Sequence, residues 1–96
     1  MKLLRVVKSD QPDKKFTAVF LTPEGRTRTT HFGAKGMDDY TITKDKEQRD
    51  RYRTRHKKDL KTRDPTRAGF LSMFLLWGEH TSLERNIEDY KKRFNM

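Results

Sequence analysis

Four arginines alternate at Arg49, Arg51, Arg53 and Arg55, and Lys57, Lys58, Lys61 and Arg63 follow them. A guanidinium is a planar fork of donors that can grip phosphate oxygens two at a time. On a helix, Arg49, Arg53 and Lys57 stack along one side, and Arg51, Arg55 and Lys58 along another. Both sides flank a line of Tyr52, His56 and Leu60, spaced i, i+4, i+8. The acids Asp45, Glu47 and Asp50 gather at the start of the stretch, where the helix dipole favours them. Glu47 and Arg51 can pair across one turn. From Arg51 to Lys58 there is no acid at all, so these cations repel one another until an anion compensates. The expected ligand is a row of nucleic-acid phosphates. Its expected contacts are Lys46, Arg49, Arg51, Arg53, Arg55, Lys57 and Lys58, with Arg26, Arg28 and Lys35 extending the track.

Other chemistries find less support. The histidines His31, His56 and His80 have no partner at metal-ligating spacing, and the chain has no cysteine, so neither a thiolate zinc site nor a thiol nucleophile can form. Asp38 and Asp39 are adjacent, and their ordinary role is a turn or the N-cap of a helix starting at Tyr40. No nucleophile elbow or Walker loop is present. Gly33-Ala34-Lys35-Gly36 reads as a loop; such a loop can turn N–H groups toward a phosphate, but the favoured reading is a plain loop in which each glycine supplies a positive φ. No enzyme activity, cofactor or metal is expected.

The bulk composition agrees with a polyanion binder. The 96 residues carry 23 Lys+Arg against 14 Asp+Glu, a net charge of +9. Residues 44–67 hold eleven of those cations and five of the acids, which is two thirds of the excess in a quarter of the chain. Apolar residues make up 31%, so the core must be small and must use every apolar cluster. No stretch is apolar enough to span a membrane. The opening Met1-Lys-Leu-Leu-Arg-Val-Val-Lys is too short and too charged for a signal peptide, and an intracellular protein is expected.

These residues need elements to hold them. Leu3–Lys8 suits a strand, and Phe16–Leu21 is a stronger one. Thr22-Pro23-Glu24-Gly25 is a turn, and Arg26–Phe32 alternates in polarity, so residues 16–32 should form an antiparallel hairpin. Thr27, Thr29 and His31 share one face; Arg26, Arg28, Thr30 and Phe32 share the other. Lys44 to about Lys58 is a polar helix or arm. Asp64-Pro65 reads as N-cap and first residue of a helix that runs to Trp77, apolar nearly all round. Thr81 to Glu84 reads as a capping box. The last helix carries a single stripe of Leu83, Ile87, Tyr90 and Phe94. Its junction with the preceding helix has helix-turn-helix spacing, in which Arg85, Asn86, Asp89, Lys92 and Arg93 would be presented, although an ordinary helical hairpin is commoner. The expected fold is one α+β domain over residues 1–96. It has a β-rich part at 1–43, a basic helix or arm at 44–63, and a helical hairpin at 64–96.

Several stretches together resemble a known family: Thr30-His31-Phe32-Gly33-Ala34-Lys35-Gly36-Met37-Asp38-Asp39-Tyr40-Thr41, Arg51-Tyr52-Arg53-Thr54-Arg55-His56, Asp64-Pro65-Thr66-Arg67-Ala68-Gly69-Phe70-Leu71-Ser72, Leu75-Leu76-Trp77 and Asp89-Tyr90-Lys91-Lys92-Arg93-Phe94. They are similar to small, basic, largely uncharacterised proteins encoded by marseillevirus-like, phycodnavirus-like and mimivirus-like DNA viruses. The resemblance spans roughly residues 14–95. It brings no active site. It implies a viral protein of the virus factory, host nucleus or virion, with Phe70 and Leu75-Leu76-Trp77 in its core. The expected function is sequence-tolerant binding of nucleic acid, double-stranded DNA ahead of RNA. The alternative is a virion structural or protein-interaction module, with a homodimer built from the apolar faces of the last two helices.

Overall fold

The structure, a computed structural model, describes residues 1–96. Three strands form one antiparallel sheet in the order β1-β2-β3: β1 is Lys2–Lys8, β2 is Lys14–Leu21 and β3 is Thr27–Ala34. The Thr22–Gly25 turn closes the second hairpin, with the Gly25 N–H donating to the Thr22 carbonyl at 2.9 Å. Phe16 pairs with Phe32 and Ala18 with Thr30. These residues therefore face the same side as Phe20.

In β1 the apolar residues Leu3 and Val6 are three apart, a spacing that a regular strand sends to opposite faces. A break in register between Leu3 and Arg5 brings both to the core side, opposite Phe20 and Ala18. Leu4 and Val7 are left on the other side, 40% and 43% exposed. Val19 and Thr17 share that side but are only 7% and 8% exposed.

The helices cover the inner face. A short helix α1 (Tyr40–Thr43) leads into α2 (Lys46–Arg55), then a 3₁₀ segment at Lys57–Thr62. Next come α3 (Ala68–Leu71), a π-helical turn over Ser72–Leu76, and α4 (Leu83–Arg93). Leu3, Ala18, Phe20 and Phe32 of the sheet meet Leu71, Leu75, Leu76, Trp77 and Tyr90 in one buried cluster. Leu83, Ile87 and Phe94 pack on its edge, as the stripe on the last helix requires. The architecture is α+β, an antiparallel sheet followed by C-terminal helices.

Several boundaries differ from expectation. Gly33 and Ala34 continue β3 rather than beginning a loop. Gly33 has φ +78°, and a Cβ there would lie 2.9 Å from Leu76 Cδ1. The glycine thus serves close packing as well as the backbone.

The third helix starts at Ala68, not Pro65. The Asp64 carboxylate does accept from an N–H two residues on, that of Thr66 at 2.9 Å, and also from the Thr66 hydroxyl at 2.6 Å. However, the Pro65 carbonyl accepts from the Tyr90 hydroxyl and the Thr66 carbonyl from the Thr30 hydroxyl. Tertiary partners hold the carbonyls that a helix beginning at Pro65 would have used.

The final turn of the buried helix is π rather than α, closed by Trp77 N–H to the Ser72 carbonyl at 3.1 Å. Gly78 follows, where a Cβ would lie 2.1 Å from the Phe74 carbonyl oxygen. No other residue fits there. Ser82, not Thr81, caps α4.

Candidate nucleic-acid interface

Asp45 starts α2 by accepting from the Glu47 and Gln48 N–H groups at 3.0 and 3.2 Å. The inward line of the helix is the expected one. Tyr52 lies between two rings, 4.3 Å from Trp77 at an interplanar angle of 10° and 4.1 Å from His56 at 21°. Burial pushes the Tyr52 hydroxyl above its ordinary value, and the Asp59 charge adds to the shift.

Two of the nominated arginines also point inward. Arg53 Nη1 donates to the Trp77 carbonyl at 2.8 Å and the Met73 carbonyl at 3.2 Å, and its guanidinium lies over Phe74. Arg49 Nη1 donates to the Gly78 carbonyl at 3.2 Å, and its guanidinium lies over Tyr40. These carbonyls end the π-helical turn, where the macrodipole is negative. Burial, reinforced by the neighbouring charge of Arg49, lowers the pKa of Arg53 from its ordinary value; the group stays cationic. Arg49 and Arg53 are therefore structural caps, a correction to their expected place among the phosphate contacts.

The remaining nominees on this segment, Lys46, Arg51, Arg55, Lys57 and Lys58, are exposed. None forms an ion pair, although Glu47 stands four residues before Arg51. Lys61 and Arg63 continue the exposed, unpaired run. Arg26, Arg28 and Lys35 are exposed as well, but they do not form one track. Arg26 adjoins the hairpin turn and Arg28 lies near Asp64. Lys35 follows the other end of β3, about 20 Å or more away along the strand.

The loop around Lys35 is not a phosphate cradle. Its Lys35 and Met37 N–H groups already donate, to the Asp13 and Ala34 carbonyls. Asp39 caps α1 through the Thr41 N–H at 2.9 Å and binds Lys15 at 2.6 Å while 1% exposed. In α4, Asn86 is buried rather than displayed for recognition. It donates to the Leu75 and His80 carbonyls and accepts from the His80 N–H, so it ties the helical hairpin shut.

The spacing rules overlooked one feature. A cleft of about 640 Å³ opens between the Gly33–Asp39 segment and α2, floored by Phe32, Tyr52, Leu76 and Trp77. His56 and Asp59 meet on its wall at 3.1 Å. Their i, i+3 spacing was the available signal, hidden inside a run of charge.

No curated protein and no solved structure matches this chain. A family model matches residues 4–56, from within β1 through β2, β3, α1 and α2 to His56. With more than half of its length matched, the chain belongs to that family, described as a family of unknown function (DUF5754).

Proposed function

We propose that this protein binds nucleic acid with little regard to sequence, double-stranded DNA ahead of RNA, by contacting phosphates from the solvent side of α2 and the segment after it. One observation carries this: Lys46, Arg51 and Arg55 on α2, which Tyr52 fixes to the core, and Lys57 and Lys58 on the 3₁₀ segment after it are all exposed and unpaired. Fixed cations with no internal counter-ion favour a polyanion, and releasing its counter-ions drives the association. The resemblance to proteins of large DNA viruses suggests the setting: virus factory, host nucleus or virion.

Reversing Arg51, Arg55 and Lys58 to Glu together should abolish duplex binding while the circular dichroism spectrum and melting curve persist. Binding that survives the triple reversal would remove this surface from the proposal.

A protein-interaction role, the second reading, is supported by a different surface from the one expected. The apolar faces of the last two helices pack inside the chain, so a homodimer through them would have to unpack the core. Uncovered apolar residues lie instead on the outer face of the sheet, at Leu4 and Val7, and on the segment before α2, at Met37 and Ile42. Light scattering distinguishes the cases, since a dimer of this 11.5 kDa chain has a mass of about 23 kDa.

A further inference from the structure

We propose that the cleft beside α2 seats one unstacked nucleotide of a single strand, whose backbone continues over the α2 cations. The inference rests on the nucleic-acid function proposed above and adds to it a preference for unpaired bases.

Size is the first support. The cleft's volume of about 640 Å³ suits one nucleotide, within the roughly 300–1,000 Å³ of small-molecule sites. The apolar residues at its base, Phe32, Leu76 and Trp77, are each at most 6% exposed, so a base must find its contact on the wall. Tyr52 has both ring faces covered, but His56 has one face on Tyr52 and keeps 39% of its side chain exposed. It is the aromatic ring a base in the cleft can reach.

Charge is the second support. Among the carboxylates lining the cleft, Asp39 is neutralised by Lys15 and Asp59 is turned onto His56. Asp38 is left against Lys14 and Arg55, neither of which has an ion pair. The lining holds three carboxylates against three Lys and Arg, so the cleft itself is balanced, and a phosphate is held where Arg55 joins the α2 cations at its mouth.

Continuity is the third. Arg55 and Gln48 line this cleft and also the groove on the outer side of α2 beside Arg51. A strand tracking the exposed cations reaches the cleft within one nucleotide. A paired base cannot enter, because it would have to leave its stack.

The test compares a blunt DNA duplex with a duplex of equal phosphate count that carries an overhang of about four deoxyadenosines, by fluorescence anisotropy at one salt concentration. The overhang should bind about tenfold tighter, the scale of one stacked base. Trp77 is the one tryptophan and lines the cleft, so its emission should shift with the overhang and not with the blunt duplex. Ala34 is exposed on the cleft rim and belongs to β3 rather than to α2. Ala34→Glu should erase the preference and leave blunt-duplex binding within about twofold.

Equal affinity for the two DNAs, or a preference that survives Ala34→Glu, overturns the cleft proposal and leaves phosphate binding standing. Free deoxyadenosine monophosphate shifting Trp77 emission as fully as the overhang overturns the strand assignment in favour of a mononucleotide site. Binding of neither DNA at low salt overturns both proposals.

Discussion

Arg51 and Arg53 stand two residues apart in one cationic run and do opposite jobs. The guanidinium of Arg53 satisfies two carbonyls at the end of the buried helix; that of Arg51 is exposed. Arg53→Ala should cost about 2–3 kcal/mol in urea unfolding, the range for hydrogen bonds to a charged donor whose acceptors are left unpaired. Arg51→Ala should move stability by no more than about 0.5 kcal/mol while weakening DNA binding. Equal stabilities for the two variants would contradict the division. The alternation of arginines was legible in the sequence, but which of them turn inward was not. Charge tells which residues can donate. It says nothing of where the unsatisfied carbonyls of a distant helix end will lie. Tyr90 offers a second test. Burial raises its hydroxyl pKa far above the ordinary value of 10.0, as it does more weakly for Tyr52. A raised pKa means that the folded state favours the protonated form. The stabilisation is complete below pH 10 and is lost as the pH climbs toward the folded-state value. Melting temperature should therefore fall on the alkaline side, and less steeply in Tyr90→Phe, which starts lower because it loses the bond to the Pro65 carbonyl.

The segment Asp64–Trp77 shows where element boundaries were legible. Its apolar composition marked the most buried helix, and Leu71, Met73, Leu75 and Leu76 are nearly inaccessible. Asp64-Pro65 read as the N-cap and first residue of this helix, but tertiary bonds from Thr30 and Tyr90 delay the helix by three residues. No local rule contains those bonds. The π-helical end was equally hidden, since it exists to bring Trp77 under Tyr52 and its carbonyl to Arg53. The three strands, by contrast, followed from β-branched and aromatic runs between turn residues, and the two hydrophobic residues three apart in β1 required the register break. The helical hairpin is held by Asn86. Asn86→Ala should destabilise the protein by about 2–4 kcal/mol, because the Leu75 carbonyl and the His80 backbone lose their partners inside the fold. Arg85→Ala, one residue away and exposed, should be near neutral. Matching melting curves for the two would mean that the hairpin does not depend on the asparagine.

Across the whole molecule the layers are unequal. Helices cover one face of the sheet, Leu4 and Val7 stand exposed on the other, and the charge concentrates on α2, which contributes no fully buried residue. A charged helix of this kind stays in place because Tyr52, Arg49 and Arg53 tie its inner side to Trp77 and Gly78. Its outer side carries the exposed, unpaired cations. The concentration of charge was visible from composition alone, whereas the cleft was not, because it is formed by residues from β2 to Trp77. The most direct measurement is the salt dependence of duplex DNA binding by anisotropy between about 50 and 200 mM. Five or six phosphate contacts imply a log–log slope near −5, and a loss of affinity of about a thousandfold over that range. A slope near zero, or no binding at the lower salt, would contradict phosphate recognition by α2.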